Sequence, residues 1–310
     1  MMQQKAWEVE NDIKPKFWQE KNSFWATPQH YSCSYLAMFP PELPHYFIER
    51  FTEKGDIVLD PFCGRGTTPL QAMSQKRHGI GNDWNELAYV LTKGKLANPG
   101  IGEVIERINY LERNYNPNDW KWPKGPHKIK MIFHAKTLSQ LNYLKKEVDW
   151  KNNSVDAFIG MVLMGAMHGS SSGFLSISMP NTFSMSPNYI KKYIIKNNLK
   201  KEERNVFEVI RKRAERYLKE GKLSGKGDAI YGNVRDLNEN DVIKSMKGSV
   251  KLIFTSPPYL KVIKYGLYNW IRLWWLIDDY KEVDEKLDDG HSIIPYYQFM
   301  KETLETLIPI

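Results

Sequence analysis

The sequence contains very little cysteine and no long apolar run. Only Cys33 and Cys63 occur among its 310 residues, too few for a disulfide framework or a cysteine metal cluster. We therefore predict no metal site. No stretch approaches the length of a membrane span, and the first residues lack the apolar centre of a signal peptide. These absences predict a protein of the reducing cytoplasm that has no membrane anchor.

Positive charge is concentrated in one segment. The chain carries a net charge of +8, and residues 188–226 hold 13 Lys or Arg against 5 Glu, a balance that equals the whole excess. Apolar residues recur there at helical spacing, so one face of a helix is predicted to pack while the basic residues lie elsewhere. Such a run is either a solvated helix face or a surface that contacts phosphates. The candidate nucleic-acid ligands are Arg204, Arg211, Lys212, Arg213 and Arg216.

A strand, a glycine turn and a helical stretch follow one another from residue 56 to residue 72. This order predicts the first strand–helix crossing of a nucleotide-binding sheet. The loop Gly64-Arg-Gly66-Thr-Thr lacks the G-x-G-x-x-G spacing of dinucleotide folds. Asp60 at its entrance would repel a pyrophosphate but could hold a cationic ligand, and Asp83, which ends the next short strand, could bind a ribose diol. S-adenosylmethionine, with its ammonium, sulfonium and ribose, fits this pattern better than NAD.

A second motif, Thr255-Ser-Pro-Pro-Tyr259, follows the apolar run from Val250 to Phe254. Proline cannot continue a sheet ladder, so this strand end presents main-chain carbonyls, a hydroxyl and an aromatic face together. That combination suits a planar ring with an amino group, such as a nucleobase. Alone, the motif is equally compatible with an ordinary turn at the end of a strand.

Together the two motifs resemble those of the amino-methylating DNA methyltransferases, the N4-cytosine and N6-adenine class. The stretch from Asp60 to Thr68 resembles the cofactor loop of that family, and residues 255–259 resemble its catalytic motif in the serine form associated with N4-cytosine. The segment 39–44 looks like the one that closes over the methionine end of the cofactor. The resemblance covers roughly residues 30–95 and 228–280.

The resemblance implies a set of site residues. Asn233 stands where the family usually has an acid that contacts the adenine ring, and Trp84 either packs on the same ring or belongs to the core. The implied cofactor-binding residues are Phe39, Pro40, Asp60, Pro61, Phe62, Cys63, Gly64, Gly66, Thr67, Thr68, Asp83, Trp84 and Asn233. The implied catalytic residues are Ser256, Pro257, Pro258 and Tyr259.

The expected activity is methyl transfer from S-adenosylmethionine to the N4 amino group of cytosine in double-stranded DNA. A C5-cytosine enzyme would need a cysteine nucleophile, usually after proline, whereas Cys63 follows Phe62 and Cys33 follows Ser32. The resemblance further implies a restriction system with a cognate endonuclease. Two alternatives remain open: methylation of adenine N6 in DNA or of a base amine in RNA, and a non-catalytic subunit of a split methyltransferase.

The predicted fold is α/β, a Rossmann-like methyltransferase sheet with a large, mostly helical insert. We divide the chain into an N-terminal arm (1–34), a cofactor-binding half (35–95), the insert (96–227) and a catalytic half (228–310). The insert is too long for one crossover, and target recognition is expected there. Residues 96–125 are Asn/Pro-rich and predict a loop. The hydroxyl-rich loop 169–187 either reads base edges or is structural, and His134 and His168 are expected to cap or pack.

The catalytic half is expected to be incomplete. About four strands can be counted, whereas a full methyltransferase sheet has seven, and the Lys-Pro-Gly-Gly turn that usually announces the fifth is absent. The C-terminal strands are therefore expected to be missing: either the chain is a fragment or a truncated product, or a second polypeptide supplies the rest. The edge of its fourth strand would be exposed without a partner.

Overall fold

A computed structural model of the chain describes residues 26–120, 124–181, 183–260, 264–287 and 292–310. Most of the predicted N-terminal arm therefore lies outside the described residues.

Four parallel strands form the central sheet. They are β1 (Ile57–Asp60), β2 (His78–Asp83), β3 (Lys226–Tyr231) and β4 (Val250–Ile253), in the order β3-β2-β1-β4. Parallel strands joined through helices confirm the predicted α/β class. Because β2 and β4 lie on opposite sides of β1, the strand order reverses at β1. A crevice at the carboxyl ends of the strands is expected at such a point.

A single helical crossover brings β2 beside β1, and a small residue sets the spacing between β2 and the intervening helix. A Cβ added to Gly79 in β2 would lie 2.1 Å from the carbonyl oxygen of Pro69, in the helix Thr67–Ser74. Only glycine permits this close approach of helix and strand.

Helices pack against this sheet and against one another. In chain order they are α1 (Glu42–Phe51), α2 (Thr67–Ser74), α3 (Glu86–Leu96), α4 (Ile101–Arg113), α5 (His127–Lys130), α6 (Ala135–Glu147), α7 (Ser154–Ala166), α8 (Pro187–Lys196), α9 (Val206–Leu218), α10 (Asp241–Lys244), α11 (Tyr265–Tyr268), α12 (Trp270–Ile277), α13 (Lys281–Lys286) and α14 (Ile293–Leu307). Among the described residues, 3-10 helices lie at Pro28–Tyr31 and Val234–Glu239.

The prediction of a loop for residues 96–125 was wrong over much of its length, because α4 occupies Ile101–Arg113. Val104, Ile108 and Leu111 are fully or almost fully buried and recur at helical spacing. The Glu103 carboxylate accepts a hydrogen bond from the main-chain N of Gly100, which closes the first turn. The Asn/Pro content of the flanks concealed an amphipathic helix between them.

The helical region shares one hydrophobic core with the catalytic half. The indole N–H of Trp275 in α12 donates to the carbonyl of Leu141 in α6 at 3.0 Å, and that of Trp270 donates to Met185 at 2.9 Å. Arg272, buried between them, donates from Nε to the Met164 carbonyl at 3.0 Å. This guanidinium lies against the C-terminal end of α7, where cations stabilise the exposed carbonyls.

The two histidines considered for capping and packing are placed as expected. His134 precedes α6, and its Nδ1 accepts a hydrogen bond from the main-chain N of Lys136. His168 is fully buried, with Nδ1 2.9 Å from the Ser176 hydroxyl, and burial lowers its pKa to about 3.

Within the described residues, β4 has a strand neighbour on one side only, β1. Helix α14 packs on the sheet through Phe299 and Leu307, and the main-chain N of Gly248 donates to the Ile310 carbonyl at 2.9 Å. None of the helices in the described part of the chain is long and apolar enough to cross a membrane.

Candidate active site

A cavity of about 1050 Å³ opens at the carboxyl ends of the strands. Its walls are formed by the residues that follow β1, β2, β3 and β4, together with the segment 35–39. The sequence-predicted residues that line it are Phe39, Pro61, Phe62, Cys63, Gly64, Thr67, Asp83, Trp84, Asn233, Ser256, Pro257, Pro258 and Tyr259. Pro40, Asp60, Gly66 and Thr68 do not line it.

The loop after β1 is a tight turn that requires glycine. The main-chain N of Gly66 donates to the Cys63 carbonyl at 2.7 Å, and Gly64 and Gly66 have φ angles of +51° and +77°. A Cβ on Gly66 would lie 2.6 Å from the Thr92 hydroxyl oxygen. The left-handed conformation and the close approach both exclude larger residues here.

Helix α3 holds the carbonyls of this loop from behind. The Thr92 hydroxyl donates to the carbonyl of Gly64 at 3.2 Å, and the Lys95 ammonium donates to the carbonyl of Arg65. Lys95 is fully buried, which lowers its pKa well below the ordinary lysine value. These two side chains fix the path of the loop. No motif marks either role, because both residues lie some distance downstream of the loop.

Asp83 joins the loop to the end of β2. Its carboxylate accepts hydrogen bonds at 2.9 Å from the main-chain N of Gly64 and from that of Asn85. Burial raises the pKa of Asp83 to about 6. A carboxylate that lines a cavity and is held by two main-chain donors is suited to accept hydrogen bonds from vicinal hydroxyls.

Asp60 lies behind the cavity wall. Its Oδ1 accepts a hydrogen bond from the Thr255 hydroxyl at 2.6 Å and one from the main-chain N of Phe62 at 3.2 Å. Burial raises the pKa of Asp60 to about 6. In this geometry the carboxyl group ties the end of β1 to the end of β4, so it links the two sequence motifs. The cation-holding role suggested by the sequence would require it to turn towards the cavity.

The motif Thr255–Tyr259 follows β4, and its residues 256–259 line the cavity. The Ser256 hydroxyl lies 3.2 Å from the phenolic oxygen of Tyr259, whose ring is exposed. The hydroxyl of Tyr296 in α14 donates to the Pro258 carbonyl at 2.9 Å, which holds the proline turn in place. A hydroxyl and an accessible aromatic face are therefore presented together at the cavity mouth.

Asn233 begins the turn after β3. Its Oδ1 accepts hydrogen bonds from the main-chain N of Arg235 at 3.1 Å and from the Arg235 Nε at 3.3 Å. Since the oxygen already has two donors, the amide NH₂ is the group that suits a ligand. Such a group donates to a ring nitrogen, whereas an acid at this position could only accept a hydrogen bond.

Several lining residues were not found from the sequence. Tyr35 and Tyr265 stack with their ring centroids 5.7 Å apart, and the Tyr35 hydroxyl accepts a hydrogen bond from Asn85 Nδ2 at 3.1 Å. Burial raises the pKa of Tyr265 to about 12. The ring of Phe299 in α14 packs edge-on against that of Phe62, with the two ring centroids 5.8 Å apart. These contacts join segments far apart in the chain, and no local pattern marks them.

The five basic candidates do not share one environment. Arg211 donates to Asn109 Oδ1 at 3.0 Å and forms an ion pair with Glu112, both on α4. Arg204 pairs with Glu202. Arg204, Lys212, Arg213 and Arg216 line a separate open cleft, and Arg211 does not.

Comparison with known proteins gives this geometry a family context. Residues 2–93 match the N6/N4 methylase family, described as DNA methylase. A type II methyltransferase of Methanocaldococcus jannaschii, M.MjaII, is 33% identical over 123 residues, which are 37% of this chain and 23% of the relative. M.BglI of Bacillus subtilis is 38% identical over 85 residues, or 27% and 24% of the two chains.

The chain is similar to the amino-methylating DNA methyltransferases. This similarity supports the expected family and implies S-adenosylmethionine as the cofactor. The matched part of each of these two relatives is about a quarter of its length. A protein named tRNA (guanine-N(7)-)-methyltransferase from Clostridium botulinum is also similar, 25% identical over 158 residues that cover 43% of this chain and 72% of the relative. No solved structure matches the chain.

Proposed function

We propose that the chain transfers a methyl group from S-adenosylmethionine to the N4 amino group of cytosine in double-stranded DNA. The observation that carries the proposal is the cavity that brings together the glycine turn after β1, the carboxylate of Asp83 and the Ser256–Tyr259 motif. The names of the type II relatives further support a place in a restriction system, with a cognate endonuclease as partner.

The residues present fit the cofactor. Gly64 has no side chain where the cavity wall meets Tyr35. A Cβ at this position would lie 3.2 Å from the Tyr35 ring, so glycine keeps this part of the wall open. Asp83 would hold the ribose hydroxyls, Asn233 the adenine ring, and Trp84 would pack against it. When bound, S-adenosylmethionine would supply an electrophilic methyl group on its sulfonium and leave as the neutral thioether, while the amino nitrogen of the base would take the methyl group and release a proton to water.

The motif after β4 would orient the target amine. The Ser256 hydroxyl oxygen and the Pro257 carbonyl can accept hydrogen bonds from the amino hydrogens, which frees the nitrogen lone pair from ring conjugation. Tyr259 offers a face on which a flipped base can stack. Serine at position 256, in place of the aspartate of the adenine-type motif, favours cytosine. The protein contributes orientation and electrostatics.

Methyl transfer can be measured directly. The purified chain is incubated with labelled S-adenosylmethionine and either duplex DNA or tRNA, and the nucleosides are then separated. N4-methylcytosine in DNA is the expected product; N6-methyladenine would move the target to adenine. N7-methylguanine in tRNA would favour a second candidate function, which rests on the similarity to tRNA methyltransferases.

Two variants test the mechanism. Ser256→Ala and Tyr259→Ala should each lose most transfer activity and keep cofactor affinity, because neither side chain belongs to the cofactor wall after β1 and β2. The control is Tyr110→Ala, which removes an exposed tyrosine of α4, away from the cavity, and should remain active. Activity at the wild-type level in both motif variants would contradict the mechanism. Cofactor binding without any transfer by the wild-type chain would favour a non-catalytic subunit that needs a second polypeptide.

A further inference from the structure

The cleft beside the candidate active site is lined mainly by basic and hydroxyl side chains. It lies between α9, the hydroxyl-rich loop and the segment 31–34, and it is open to solvent. Its charged lining residues are Arg204, Lys212, Arg213, Arg216 and Arg272, against Glu203 and Glu208. Ser171 and Ser172 add exposed hydroxyls, and Tyr31 adds an exposed ring. The excess of positive charge suits a polyanion.

Two arginines of this cleft, Arg213 and Arg272, bind main-chain carbonyls of the protein. Arg213 donates to the carbonyls of Gly165 at 3.2 Å and Gly173 at 3.0 Å, and its guanidinium lies 4.7 Å from the centroid of the Phe174 ring. It therefore anchors the hydroxyl-rich loop to α7 and α9. Arg272 is buried and holds main-chain carbonyls of Met164 and His168. Both arginines shape the cleft from within.

Lys212 and Arg216 are the exposed cations of the cleft. They are four residues apart on α9, so they lie on the same helix face one turn apart. Arg216 donates to the Tyr217 hydroxyl at 2.8 Å, and its guanidinium lies over that ring. Neither forms an ion pair with an acid in the described ranges, whereas Glu203 in the same cleft is paired with Lys136 at 2.9 Å.

The cleft and the active-site cavity share a wall. Residues 31–34 line the cleft, and Tyr35 to Phe39, which follow directly, line the cavity. The Tyr217 hydroxyl lies 3.4 Å from the Ser32 carbonyl, and Arg65 of the cofactor loop donates to the Cys33 carbonyl at 3.5 Å. The cleft and the cavity therefore lie on either side of one continuous segment, residues 31–39.

We propose that this cleft binds the phosphodiester backbone of the DNA duplex, with Lys212 and Arg216 as the phosphate ligands and the hydroxyls of Ser171 and Ser172 as further donors. The inference rests on the proposed function for its choice of DNA, and it deepens that function by naming the substrate-binding surface. Contacts to phosphates position a protein on DNA and carry no sequence code. The affinity supplied by the cleft should be the same for any sequence.

The test is the salt dependence of binding, measured by fluorescence anisotropy with a labelled random-sequence duplex and no cofactor. Each phosphate ligand that a variant removes should reduce the slope of log affinity against log salt by about 0.9. Lys212→Gln/Arg216→Gln should therefore flatten the slope by up to about two. The matched control is Lys191→Gln/Lys192→Gln, which removes the same charge from exposed lysines of α8 outside the cleft and should keep the wild-type slope.

Two results would overturn the proposal. The first is a wild-type slope in the Lys212/Arg216 variant, with thermal melting showing that both variants are folded. The second is a slope change seen with tRNA while duplex DNA binding stays unaffected, which would assign the cleft to RNA. Because the assay contains no cofactor, its outcome is independent of methyl transfer. A chain that binds DNA through the cleft but transfers no methyl group would refute the proposed activity alone.

Discussion

Replacing Asp83 with alanine should weaken the binding of S-adenosylmethionine. The carboxylate lines the cavity and is held by the main-chain N–H groups of Gly64 and Asn85, both at 2.9 Å. Hydrogen bonds to a charged group contribute about 1.5–3 kcal/mol, and neutral ones about 0.5–1.5 kcal/mol. Loss of the ribose hydrogen bonds should therefore cost about 1–3 kcal/mol, which raises the Kd roughly 5-fold to 150-fold.

The raised pKa of Asp83 also predicts how cofactor affinity depends on pH. Burial raises this pKa to about 6, and protonation removes the negative charge that the ribose hydroxyls would meet. Cofactor affinity of the wild-type chain should therefore fall as the pH drops through about 6, and Asp83→Asn should lose this dependence. Isothermal titration calorimetry on both sides of this pKa, from mildly acidic to mildly alkaline buffer, measures both effects.

The control for these measurements is Asp56→Ala. Asp56 precedes β1, at the end of the strand away from the cavity, and accepts a hydrogen bond from the main-chain N of Glu53 at 2.7 Å. Its replacement should leave cofactor affinity and its pH dependence unchanged. Wild-type affinity in Asp83→Ala in alkaline buffer would refute the assignment of this carboxylate to the cofactor.

Four further predictions concern stability and the loop. Burial raises the folded-state pKa of Asp60 from 3.8 to about 6, so the ionised carboxylate lowers the stability of the folded state above that pH. The free energy of unfolding should therefore rise as the pH falls from about 6 to about 3.8. Urea titrations should show a smaller rise in Asp60→Asn than in the wild type. Thr92→Val should leave the Gly64 carbonyl without its donor and cost about 1–3 kcal/mol, with weaker cofactor binding that Thr92→Ser restores. Gly94→Ala places a Cβ 2.3 Å from that of Met161 and should cost about 1–3 kcal/mol. Gly102→Ala, with no atom within 4 Å, should instead stabilise by about 0.4–1 kcal/mol in thermal unfolding.

The parts of the site that were predictable are those with a local signal. The apolar runs before Asp60 and before Thr255 indicated the two strand ends, and the glycine turn indicated the loop between β1 and α2. Parallel strands end at the same edge of a sheet, which places the two motifs side by side. The hydrogen bond from Thr255 to Asp60 joins them in the structure. The individual roles of the remaining site residues stay predictions.

The parts that were not predictable depend on contacts between distant segments. Trp270 and Trp275 of α12 complete the core of the helical insert, which a division of the chain into consecutive segments cannot show. Tyr35 and Tyr265 are 230 residues apart in the chain and meet in the cavity wall, and neither lies within one of the sequence motifs. The helix α4 was missed for a different reason. The loop was predicted from the Asn and Pro content of residues 96–125 as a whole, and the helical spacing of the apolar residues within that range was not considered.

The basic segment shows why a count of charges along the chain cannot identify a binding surface. Adjacent residues on a helix point in directions about 100° apart, so Arg211, Lys212 and Arg213 have three different surroundings despite their adjacency. Arg211 faces α4 and its acid, Arg213 faces the carbonyls of the hydroxyl-rich loop, and Lys212 faces the open cleft. Two of these three charges are therefore engaged in holding the protein together. A cation that is not neutralised by an acid of the protein keeps its attraction for a polyanion. The exposed cations of the cleft, rather than the whole segment, should therefore set the salt dependence of DNA binding.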